Sequence, residues 1–158
     1  MIRISDKLVS KVVRKAGLSP RKRCNYNFHK SYNDKLQRLL NAANPGTYVR
    51  AHKHEKPDKA EVFIILRGRV LIVEFDARGG VRDSYILDPK KGSYGVEIPP
   101  RAWHTLICLE RGSCLYELKS GPYHPKAEKK FATWAPEEGT KAAGLFNQKI
   151  ISYLLSYA

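Results

Sequence analysis

The chain has 158 residues, 42% of them hydrophobic and 10% aromatic, which suits one domain with a real core and leaves little length for a second. No apolar run approaches the roughly 18–20 residues that cross a bilayer, and Met1-Ile-Arg-Ile-Ser-Asp-Lys7 lacks the apolar stretch of a secretory signal, so a cytoplasmic location is expected. The net charge of +14 is concentrated early: Arg3, Lys7, Lys11, Arg14, Lys15, Arg21, Lys22, Arg23 and Lys30 are opposed only by Asp6, a field that draws anions, yet no helix-turn-helix, zinc-finger or aromatic RNA-binding signature accompanies it, which disfavours a nucleic-acid partner.

Residues 5–16 read as a short amphipathic helix, with Leu8, Val9, Val12, Val13 and Ala16 on one face, Ser5 as cap, and Gly17 and Pro20 ending it. A basic, irregular segment, Ser19-Pro-Arg-Lys-Arg-Cys-Asn-Tyr-Asn-Phe-His29, follows. Leu36-Gln-Arg-Leu-Leu-Asn-Ala-Ala43 has helical propensities but reads as a strand in which Gln37, Leu39 and Asn41 share one face. After the turn Asn44-Pro-Gly46, residues 48–54 read as another strand. From residue 61 the β signal is strong, with strands expected over 61–66, 70–75, 84–87, 94–98, 105–109 and 114–119, separated by Gly- and Pro-bearing turns. Short strands at this spacing predict a mainly β sandwich or barrel. Ala143, Phe146, Ile150, Leu154 and Tyr157 recur at helical spacing and predict a C-terminal helix packed on the barrel or against a partner subunit. The organisation expected is an N-terminal helix over 1–18, a β-barrel over 19–138 and a C-terminal helix over 139–158, all one domain. Cys24, Cys108 and Cys114 are odd in number and form no Cys-x-x-Cys pair, so reduced thiols are expected.

The chemistry-bearing residues are His52, His54, Glu61 and His104. Two histidines one residue apart point to the same side of a strand. Glu61 opens an apolar strand, and His104 ends the segment Glu97-Ile-Pro-Pro-Arg-Ala-Trp-His104. Three imidazoles and a carboxylate suit one divalent transition metal, with Zn, Fe, Mn and Ni all open. Glu55 and Asp58 stand in the loop before Glu61 as alternative carboxylates. An octahedral metal with four protein ligands keeps two positions for water or substrate oxygens, and each ligating imidazole should donate its second N–H to a carbonyl, carboxylate or water.

The pattern Gly46-x5-His52-x-His54-x6-Glu61-x6-Gly68 resembles the first motif of the cupin superfamily, with a longer gap before the carboxylate than is usual. Pro99-x-Arg101-x2-His104 resembles the second, with Arg101 where glycine is common. Ser19-Pro-Arg with Asn27-x-His29, Pro99-Pro-x-x-Trp103-His104-Thr105, Lys119-x-Gly-Pro-Tyr123 and Phe131-Ala-x-Trp134-Ala-Pro-Glu137 resemble the WbuC family, cupin-fold metalloproteins often encoded among genes for O-antigen synthesis. The resemblance spans residues 19–138. It implies a single jelly-roll barrel (a double-stranded β-helix) with a metal inside, and a ligand that is small and polar, anionic or sugar-like.

Candidate ligand-binding groups are Arg21, Arg23, Asn25, Asn27 and His29 in the basic segment, which suit a phosphate or carboxylate through charge-assisted hydrogen bonds. Gln37 and Asn41 belong with them if their segment is a strand, and Arg50 shares the face of His52. Trp103 suits either the core or a sugar-stacking platform. Tyr123 and His124 stand near an expected opening, and Glu117 is a candidate general base. Cupin barrels often pair, so a homodimer is expected. A metal-dependent enzyme and a non-catalytic metal-anchored binding or sensor module share all these ligands; an iron-dependent dioxygenase is a further alternative.

Overall fold

The computed structural model describes residues 1–156, so Tyr157 of the expected C-terminal helix lies outside the described residues. Ser5 accepts the backbone N–H of Leu8 and starts α1 (Asp6–Leu18), which buries Val9, Val12 and Ala16. The strands are β1 (Arg23–Asn27), β2 (Leu36–Ala43), β3 (His52–Lys53), β4 (Glu61–Arg67), β5 (Val70–Phe75), β6 (Val81–Leu87), β7 (Gly95–Ile98), β8 (Trp103–Cys108), β9 (Ser113–Ser120) and β10 (Lys130–Phe131). Thr140 caps α2 (Lys141–Leu155) through the backbone N–H of Ala143.

The strands form two antiparallel five-stranded sheets, ordered β1-β2-β9-β4-β7 and β10-β3-β8-β5-β6. This is the mainly β barrel anticipated from the strand spacing, in the jelly-roll form that the resemblance implied. Residues alternate between the two sides of each sheet, and each sheet has an outer cover. Val9, Val12 and Ala16 of α1 pack on Leu40, Ala42 and Cys114 outside the first sheet. Outside the second, Leu71, Val73, Phe75 and Ile107 pack with Ala132, Ala135 and Ile150 of the following segment and α2. Burial on both sides explains why residues 70–73 of β5 read as an unbroken apolar run rather than an alternating one.

The interior between the sheets is polarised along the strands. On β4 the inward residues run Glu61, Phe63, Ile65, and on β9, paired in register, they run Lys119, Glu117, Leu115. On β8, His104 precedes Leu106. One end is therefore plugged by Phe63, Ile65, Val70, Ile72, Leu87, Leu106 and Leu115, while the other collects ionisable groups around an open cavity.

Two elements differ from expectation. The basic segment after Ser19 contains β1, paired with β2 from Arg23↔Ala43 to Asn27↔Leu39. Its alternation is hidden from a hydrophobicity pattern because Arg23, Asn25 and Asn27 face the cavity rather than the core. The strand expected over 48–54 shrinks to β3, because the Val49 and Ala51 carbonyls accept from the Thr105 hydroxyl and the Ala132 N–H. The three cysteines are free thiols.

The β4–β5 turn depends on Gly68, whose φ is +79° and whose absent Cβ would lie 2.8 Å from the Cα of Ser113. The Ser113 hydroxyl closes this corner, accepting from the Arg69 N–H at 3.1 Å and donating to the Glu110 carbonyl at 2.7 Å. Gly68→Ala combines a left-handed backbone with a clash and should cost about 1–3 kcal/mol, read as a lower urea midpoint at unchanged slope; an unaltered midpoint would show that the corner yields freely.

Candidate metal centre

β3 and β8 are neighbours, and their pairing places His52 directly across from His104. His54 follows on the same side, and Glu61 enters from the opposite sheet. One ligating atom from each of these four side chains lies within 4.8 Å of all the others, and each residue is only 2–3% exposed. The ring centroids of His52 and His104 are 4.5 Å apart, those of His52 and His54 5.2 Å.

Hydrogen bonding fixes which nitrogen faces inward. His52 Nδ1 donates to the Arg50 carbonyl at 2.8 Å, His104 Nδ1 to the Ala102 carbonyl at 2.9 Å, and His54 Nδ1 to the Glu128 carbonyl. A carbonyl oxygen can only accept, so each Nδ1 carries a hydrogen and each ring turns its Nε2 inward. They meet the Glu61 carboxylate: Oε2 lies 2.9 Å from His104 Nε2, a hydrogen-bond distance, and 3.2 Å from His54 Nε2. His54 Nε2 is buried and without a hydrogen-bond partner. Burial, with the nearby charges of Lys129 and His104, holds the His52 imidazole well below its ordinary range, which keeps it neutral. Convergent buried acceptors repel one another until a cation joins them. The four residues therefore fit a divalent transition metal, and the tautomers are already those that ligation requires.

The carboxylate is oriented from behind. Lys119 Nζ lies 3.1 Å from Glu61 Oε1, leaving Oε2 for the histidines. Burial alone would raise the Glu61 carboxyl, but its contacts with His104 and His54 and the charge of Lys119 outweigh burial and hold it well below the usual range. Lys119 also meets Glu128 at 2.8 Å, and Glu128 meets Lys59 at 2.6 Å. Glu128 thus supports the cluster twice, through its carboxylate to Lys119 and its carbonyl to His54. The alternative carboxylates are engaged elsewhere: Glu55 pairs with Lys130 at 2.6 Å and Lys53 at 2.7 Å, and Asp58 with Arg101 at 2.8 Å. Arg101 has φ +67°, the left-handed conformation that favours glycine at this motif position, and its N–H donates to the His54 carbonyl at 3.1 Å.

A cavity of about 800 Å³ opens over the cluster. Arg21, Arg23, Asn25, Asn27, His29, Gln37, Arg50, Glu117 and Tyr123 all line it. Some of these are already engaged. Arg21 reaches Glu138 at 2.8 Å and Arg23 reaches it at 2.9 Å, closing one side of the mouth. Gln37 donates to the Tyr32 and Asp34 carbonyls, while its oxygen is buried without a partner. Asn41 donates to Glu117 at 2.9 Å. Trp103 stands apart from the cavity wall, packing on Trp134 at 6.2 Å with Lys53 over its ring at 4.8 Å. His124 is exposed and also off the wall. Sequence reasoning passed over Lys59, Lys119, Glu128 and Lys129. Period two on the strand of Glu117 would have pointed to Lys119; the other three lie outside any periodic segment.

His52→Ala and His104→Ala should each lose metal after dialysis against a weak chelator, by more than the roughly 10–100-fold affinity loss that follows from changing a group behind a ligand; elemental analysis showing full retention in either variant would remove that residue from the ligand set. At the mouth, the guanidinium of Arg21 foremost, then that of Arg23, holds Glu138 at about 2 against the smaller push of burial, below its ordinary 4.5. Its stabilisation is present above 4.5 and is lost as pH falls through about 2. The gap in urea midpoint between wild type and Glu138→Gln should therefore hold steady above pH 4.5 and close toward pH 2, and a pH-independent gap would assign no role to the charge.

No curated protein matches the sequence. Among solved structures, the capsular polysaccharide assembling protein CapF from Staphylococcus aureus is similar at 20% identity and a TM-score of 0.57, over 69% of this chain and 29% of that one. The chain thus spans less than a third of the CapF length. TT1209 from Thermus thermophilus is similar at 20% identity and a TM-score of 0.53, covering 75% of this chain and 97% of that one. KdgF from Halomonas sp. follows at 16% identity and 0.50, covering 66% and 82%. At these identities the likeness speaks for the fold, a cupin-type jelly roll. In sequence, residues 4–87, more than half of the chain, match the domain of unknown function DUF6016, and the chain belongs to that family.

Proposed function

We propose that the protein is a metal-dependent cupin that binds a small anionic, sugar-type ligand over the three-histidine centre, a class that includes the acidic sugars and nucleotide sugars of surface-polysaccharide synthesis. The observation that carries this is the composition of the cavity. Its lining includes His52, Glu61 and His104 of the cluster, and sets Arg21, Arg23, Arg50, Lys119, Lys126 and Lys129 against Glu61, Glu117, Glu128 and Glu138. A divalent metal adds further positive charge, so the complementary ligand is an anion. The volume of about 800 Å³ falls within the roughly 300–1,000 Å³ of small-ligand sites. The role of CapF in capsular polysaccharide assembly supports the same class, as do the WbuC-type residues Asn27, His29 and Tyr123 on the cavity wall.

When bound, the metal supplies Lewis acidity to a ligand oxygen. The chain's own proton-handling group is Glu117. Burial, then the charge of Glu61, raises its carboxyl above the ordinary value, and Asn41 orients one oxygen. Such a group suits general acid–base work. We also propose a cytoplasmic homodimer as the working form, paired through the outer side of α2, where Leu145 is exposed.

Elemental analysis of purified protein should find a divalent transition metal, and a thermal screen of nucleotide sugars and acidic sugars should identify a stabilising ligand. A ligand at a hundred times its Kd adds about 2.7 kcal/mol to native-state stability. The stabilisation should disappear after chelation; a shift indifferent to metal, or none from any anionic sugar, would overturn the proposed function. With a turned-over ligand in hand, Glu117→Gln should retain binding and slow turnover roughly 10²–10⁴-fold.

A further inference from the structure

The cations around the cavity are not equally available. Lys119 is shared between Glu61 and Glu128, and Arg21 and Arg23 are both held by Glu138. Arg50 donates to the Ala132 carbonyl at 3.1 Å and lies 3.7 Å from Glu137. Lys129 differs. It lines the cavity, is half-buried, and among the described residues has no carboxylate within 4.0 Å and no hydrogen bond. An ammonium withdrawn from water without a counterion is costly.

The position of Lys129 is tied to the metal centre from both sides. The residue before it, Glu128, accepts the Nδ1 hydrogen of His54. Two residues after it, Phe131 of β10 pairs in register with His52. The chain carrying Lys129 is therefore held at two of the four ligating residues, by the side chain of His54 and the backbone of His52. Burial foremost, then the like charges of Lys119 and Arg23, outweigh the pull of Glu61 and push the Lys129 ammonium below its ordinary value, in keeping with a cation that lacks its partner.

We propose, resting on the anionic-ligand function above, that Lys129 is the anchor for the ligand's charged end: its ammonium holds a carboxylate beside the three-histidine centre, which narrows the ligand class to sugar-type hydroxycarboxylates. A single ammonium matches a single negative charge. A phosphate is better met by the planar fork of arginine, and the mouth arginines are already engaged by Glu138. A hydroxycarboxylate also offers a hydroxyl oxygen beside its carboxylate, which would suit a metal held by His52, His54, Glu61 and His104.

The test uses full-length, metal-loaded protein titrated calorimetrically with gluconate, with sorbitol, which lacks only the carboxylate, and with inorganic phosphate. Wild type should bind gluconate and not sorbitol. Lys129→Met should bind gluconate at least about tenfold more weakly with unchanged metal content, and Lys129→Arg should recover part of the loss. Equal gluconate affinity in wild type and Lys129→Met would overturn the anchor while leaving the anionic-ligand function standing. Metal loss in Lys129→Met would instead assign the residue a structural role. Phosphate binding that depends on Lys129, without gluconate binding, would overturn the carboxylate assignment. Binding of no anion by wild type would overturn the function and the anchor together.

Discussion

Four buried acceptors converging on one point is the constraint from which the rest of the site follows. Each histidine has its Nδ1 hydrogen committed to a backbone carbonyl, so three Nε2 atoms and the Glu61 carboxylate are left to meet at one point, where a proton or a metal must join them. In a low-dielectric interior that arrangement is unfavourable without a cation. The surrounding charges respond to it. Lys119 compensates Glu61, Glu128 compensates Lys119, and Lys59 compensates Glu128, so one carboxylate ligand brings with it a chain of buried ion pairs. Buried pairs of this kind are weak evidence for stability; here they orient a carboxylate, presenting one oxygen to the histidines.

The barrel accommodates this cluster because its interior is divided. Phe63, Ile65, Leu106 and Leu115 fill one end as an ordinary apolar core, while the same strands carry Glu61, His104, Glu117 and Lys119 at the other. Stability and site chemistry are thus placed on the same strands at different depths. α1 and the α2 side then cover the outer surfaces of the two sheets, which frees the inner surfaces to be polar where the cavity opens.

Much of this was legible residue by residue. Period two carried most of the strands, and it also placed Gln37, Leu39 and Asn41 on one face and Arg50 with His52. It failed for β1, because hydrophobic alternation is a signal only when the inward face is apolar, and Arg23, Asn25 and Asn27 face a polar cavity. It overran at β3, where side-chain and loop partners, rather than a ladder, satisfy the Val49 and Ala51 carbonyls. Trp103 carried no signal of its side: a tryptophan next to a ligating histidine points the other way on a strand, and here it joins Trp134 outside the second sheet.

The sequence by itself determined the β architecture, the two end helices and the identities of the candidate ligands, because strand period, turn residues and His-x-His spacing are local properties. The sequence also prefers Glu61 to Glu55 and Asp58, because it opens a strand and keeps the six-residue spacing to Gly68; the tertiary structure adds the pairing with Lys53, Lys130 and Arg101 that draws the other two away. Glu128 and Lys129 are visible only in the tertiary structure. They lie in an irregular segment more than seventy residues from His54, and only the folding of that segment back onto the barrel sets one behind the centre and the other, without a counterion, on the cavity wall.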